Sequence, residues 1–75
     1  MRPDECRVKR NELLAQARAA ERLGTFDGKC VAERCRTMAQ NLDLMASNDL
    51  NDQERGRAMY DKNRADFEKF ISAQS

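Results

Sequence analysis

The stretch Asp27-Gly28-Lys29-Cys30-Val31-Ala32-Glu33-Arg34-Cys35-Arg36-Thr37-Met38-Ala39-Gln40-Asn41-Leu42-Asp43-Leu44-Met45-Ala46 decides how this chain folds. Val31, Cys35, Met38, Leu42 and Met45 recur at alternating steps of four and three, which keeps one seam of a helix against a partner. At roughly 100° per residue, Ala32, Ala39 and Ala46 form a second line beside it, giving an apolar arc about 140° wide. Bulk lies at the centre of the arc and small residues at one edge, where another backbone can come close. The stretch reads as the central helix of a small helical bundle.

Outward from it, two breaks divide the chain. Gly24-Thr25-Phe26-Asp27-Gly28 places a glycine where a helix ends and Thr25 or Asp27 where the next one is capped. Phe26, in that turn, is expected to fold back as a plug over one end of the core. Ser47-Asn48-Asp49-Leu50-Asn51 is a polar turn; Asn51 reads as the cap of the third helix and Leu50 as the hydrophobic staple before it. The expected architecture is all-α, a three-helix bundle with short turns. One domain covers residues 1–75, with helices over about 3–23, 28–46 and 52–72.

The flanking helices differ in what they offer. Pro3, Asp4 and Glu5 suit a first turn. The apolar face that follows is Cys6, Leu13, Ala17 and Ala20, which is thin because alanine buries little area. The third helix carries Tyr60, Phe67 and Phe70, with Met59 and Ile71 alongside, and is expected to supply the bulk. The core seam is therefore Val31, Cys35, Met38, Leu42, Met45, Tyr60, Phe67 and Phe70. Gly56 and Asn63 lie on the same line of the third helix. Gly56 implies either a close backbone contact or a frayed first turn. Asn63 either keeps its amide in water or is buried and pairs with itself or a partner, fixing register as in coiled coils.

Length and composition bound the function. A chain of 75 residues buries only about 60% of its unfolded surface, so a single core leaves it marginal. Self-association as a homodimer, or docking on another protein, is the expected support. The chain has no His, which removes the usual general base and the commonest neutral metal ligand. Cys30 and Cys35, five apart on one helix, point about 140° away from each other and cannot bridge. With Cys6 they make an odd number, which points to free thiols in a reducing compartment, the cytoplasm. Cys35 reads as a small buried hydrophobe. Cys30, in the first turn beside Lys29, is the one candidate reactive thiol.

No cofactor, metal or catalytic residue is expected, and no stretch is apolar enough for a membrane span. Residues 1–36 carry nine Lys or Arg against six Asp or Glu, and residues 37–75 five against seven. A split of +3 and −2 falls short of the dense basic stripe that phosphate backbones require. The expected function is a small non-enzymatic modulator that binds another protein. It would be an adaptor, anti-activator or inhibitor of a larger machine, of the kind phages and plasmids use. Val8, Leu44, Arg18, Arg22, Arg34 and Arg36 are the candidate partner contacts. The alternative is a nucleic-acid-binding accessory regulator using the basic residues of the first two helices.

Overall fold

The computed structural model describes residues 2–74 and is an all-α three-helix bundle. Helix α1 spans Pro3–Arg22, α2 Phe26–Met45 and α3 Leu50–Gln74. Proline at the start and Asp4 and Glu5 in the first turn set the beginning of α1, and Arg22 lies in its last turn. Gly24, at φ 67°, carries the chain out through the left-handed region that only glycine enters freely. Thr25 then caps α2, its Oγ1 accepting from the Gly28 N–H at 3.0 Å. Asp49 caps α3, its Oδ1 accepting from the Asn51 N–H at 2.8 Å. The Gln53 amide closes the same turn by donating to the Ser47 carbonyl at 2.7 Å.

Asp49, not Asn51, is thus the third cap, and α2 and α3 each begin two residues before their sequence-based starts. This displaces both expected turn plugs. Phe26 becomes the first residue of α2 and is 79% exposed. Leu50 becomes the first residue of α3 and is 72% exposed, so neither covers the core. Gly28, read as part of the break, lies inside α2 and is buried.

Helix α2 is the middle of the molecule. Both α1 and α3 pack on it, and among the described residues their backbones do not meet each other. The buried hydrophobic set is Cys6, Leu13, Ala17 and Ala20 from α1, Ala32, Cys35, Met38, Ala39 and Leu42 from α2, and Tyr60 from α3. The α1–α2 contact is made of small residues at close range. A Cβ on Gly28 would strike the Ala20 carbonyl oxygen, so the two helices touch there backbone to backbone. Two ion pairs hold the flanks of this contact, Arg10 with Asp43 at 2.8 Å and Arg36 with Glu21.

On the other side α3 contributes less bulk than its aromatic content implies. Of its described aromatic residues Tyr60 alone is buried; Phe67 and Phe70 are half-buried, as are Val31 and Met45 of the expected seam. The reason is geometric. An α2 flanked on two sides must bury a wider arc than its apolar residues supply, and α3, reaching past the end of α2, covers part of it only. The accessible surface of 5354 Å² exceeds the roughly 4,700 Å² of a compact monomer of this mass, as an unclosed three-helix layer should.

Candidate functional site

Because α1 and α3 stand apart over α2, a groove runs between them. Met38 is its floor, with Leu13 on one wall and Tyr60 and Phe67 on the other; Lys9, Gln16, Arg64 and Glu68 form the rim. This part encloses about 370 Å³. It continues past Gln16 and Phe67 to Ile71 and Ser72, near the C-terminal end of α3. At its closed end Tyr60, 5% exposed, joins the cluster that holds Cys6. The groove is apolar inside and carries both signs of charge at its edge.

Burial fixes the protonation of two groups here. The Tyr60 phenol is pushed above its ordinary 10.0, chiefly by desolvation, with Arg64 pulling the other way. The Cys35 thiol is pushed above its ordinary 9.0 by desolvation alone. Both are held protonated in the folded chain, so the unfolded chain releases these protons first. Stability from these groups is present in full below pH 9.0 and is lost as pH rises past the two ordinary values. The urea midpoint is therefore expected to fall on the alkaline side; a midpoint unchanged well above pH 10.0 would contradict the burial of both groups.

Asn63 turns inward to a partner. Its Nδ2 donates to Oδ1 of Asn41 at 2.7 Å, and Asn41 is 2% exposed. The pair ties the middle of α3 to the C-terminal part of α2 and sets their register from within the chain. Asn63→Ala is expected to cost about 1–3 kcal/mol, since it leaves a buried amide without that partner. Asn41→Leu combined with Asn63→Leu should cost less than the sum of the two single changes in a double-mutant cycle. Additive losses would mean the two amides are not coupled. Asn41 itself was not evident from the sequence, where it sits as one polar residue at the seam's edge beside Leu42.

The six candidate partner contacts do not form one surface. Val8, 59% exposed, lies with exposed Arg18 and Arg22 on the outer face of α1, away from α2. Neither arginine has an ion pair among the described residues. Leu44 is half-buried in the α2–α3 contact, with its Cβ where a Cβ on Gly56 would have to go. The Arg34 guanidinium stacks over the Phe70 ring at 4.6 Å, and Arg36 is held by Glu21. The basic patch expected across two helices is thus divided, with two of its arginines engaged inside the fold.

All three cysteines are free thiols, Cys6 and Cys35 buried and Cys30 half-buried. Cys30 borders a separate depression on the back of the molecule with Glu33, Arg34, Thr37 and Asn63. Among the described residues no cluster of His, Cys, Asp or Glu is placed to hold a metal ion, and no helix is long and apolar enough to cross a membrane. No protein family, curated protein or solved structure matches the chain.

Proposed function

We propose that this chain is a non-enzymatic protein-binding modulator acting in the cytoplasm, and that its contact surface is the groove between α1 and α3. The observation that carries the reading is the groove itself. Half-exposed Phe67 presents the apolar surface, backed by buried Leu13, Met38 and Tyr60, with charges of both signs at the rim. An elongated apolar trough with a polar edge suits the amphipathic face of a helix from another protein. Half-buried Phe67 is the aromatic anchor such a contact would finish covering. The mixed rim, Lys9 and Arg64 against Glu68, would set orientation and exclude wrong partners. An adaptor, anti-activator or inhibitor needs no more than this.

The test compares capture of partners by the chain and by a rim variant, Gln16→Arg with Glu68→Arg, with nuclease present. The reading expects a protein retained by the chain, lost by the rim variant, and retained when Arg18 and Arg22 are changed to Ala. Duplex binding that falls steeply with salt and weakens on Arg18→Ala or Arg22→Ala would replace it with the nucleic-acid reading.

A further inference from the structure

The groove-side edge of α3 carries Arg57, Asp61, Arg64 and Glu68, spaced four, three and four apart. At roughly 100° per residue they fall within about 60° of arc, in one line. All four are exposed. Arg64 and Glu68 border the groove, and they pair with each other along the helix at 3.1 Å while staying about two-thirds exposed. Arg57 and Asp61 have no ion pair among the described residues. The line reads plus, minus, plus, minus. Laid against itself head to tail, such a line meets an opposite charge at every position.

We infer that the occupant of the groove mouth is a second copy of this chain. The two α3 helices lie antiparallel about a two-fold axis between Lys62 and Asn63, so that Arg57 faces Glu68 of the partner subunit and Asp61 faces Arg64 of the partner subunit. This rests on the reading of the groove as a protein-binding surface and names its first partner. The alternatives fail on charge or on coverage. A parallel pairing in register sets like against like along the whole edge. An antiparallel pairing centred on Asp61 or on Arg64 sets that residue against its own copy. A shift of one heptad towards the N-terminus keeps opposite charges together, with Glu54 and Arg57 facing Arg64 and Asp61. It centres the contact on Met59, however, and sets Glu68, at the groove rim, opposite Leu50 of the partner subunit with no opposite charge to meet. The contact is isologous and closes at two copies.

The experiment is sedimentation equilibrium of the full chain from low to high micromolar concentration, with circular dichroism melting of each variant to confirm its fold. The chain is expected to reach twice its 8.6 kDa mass. Asp61→Arg reverses two symmetry-related contacts at once and is expected to weaken the dimer about tenfold or more. Adding Arg64→Asp to Asp61→Arg re-forms both pairs, and recovery to within about threefold is expected in this register alone. Arg57→Glu with Glu68→Arg provides the same swap at the other pair if the first double variant folds poorly. A chain that stays at 8.6 kDa throughout, a dimer indifferent to Asp61→Arg, or a swap that does not recover would each overturn the inference. If the chain is monomeric yet loses a captured protein on Gln16→Arg with Glu68→Arg, the groove reading stands and only the second copy falls.

Discussion

Leu42→Ala is expected to remove about 2–5 kcal/mol of stability, the largest loss of any single truncation in this chain. Leu42 has no exposed surface and belongs to the buried cluster drawn from all three helices. Its neighbours cannot collapse into the space. Ala39, one turn back on α2, is too small to reach across, and Met38 is already committed to the groove floor. A domain of this size has a total stability near the bottom of the usual 5–15 kcal/mol, so the loss is a large fraction of it. Thermal melting should fall by about 10–30 °C. Leu42→Met, which keeps the volume, is expected to cost less than about 1.5 kcal/mol. An alanine variant that melts within a few degrees of the parent chain would mean the seam is not buried as described.

Gly56→Ala should also destabilise, and here helix propensity gives the opposite sign. Within a helix, alanine is better than glycine by about 1 kcal/mol, so intrinsic preference alone calls for a gain. The surroundings of Gly56 reverse it. A Cβ there would stand 2.7 Å from Leu44 Cβ, 2.8 Å from the Asn41 carbonyl oxygen and 3.0 Å from the Met45 N. Two of these atoms are backbone and cannot swing aside, so α3 must move off α2. Overpacking of this kind costs typically about 1–3 kcal/mol, which outweighs the propensity gain over most of that range. The displacement would also stretch the Asn63–Asn41 hydrogen bond two turns further along. Urea unfolding of the alanine variant checks both points; a higher midpoint than the parent's would show that the helices are not in contact at Gly56.

The sequence reading of the central helix rested on a strong signal, and the structure bears out the fold class it implied. Met38 and Leu42 are both buried within one unbroken α2. Seven-residue periodicity reports which residues face a partner whatever that partner is. The apolar face of α1 was legible for the same reason: Cys6, Leu13, Ala17 and Ala20 are its four buried residues. What periodicity does not carry is how many partners a face has. α2 has two, so its buried arc extends past the apolar residues to Asn41, and α3 meets it there with an Asn and a Gly in place of bulk. The turns were misread because Leu50 and Phe26 are apolar and lie next to caps, a pattern shared by staples and by exposed first residues. The cap that decides between them, Asp49 over Asn51, depends on backbone angles. The scatter of Val8, Leu44 and the four arginines over three separate surfaces had no sequence signal either. Helical spacing places each residue on its own helix only, and their relative placement depends on how the helices cross.

Residue-resolved amide hydrogen exchange tests the arrangement of helices most directly, because protection follows burial of each hydrogen-bonded segment. The slowest amides are predicted to run from Ala32 to Leu42 in α2, with the outer turns of α1 and the C-terminal turns of α3 exchanging much faster. If the Ala32–Leu42 amides exchanged as fast as those helix ends, α2 would not be the element on which the other two are built, and the groove between them would lose its floor.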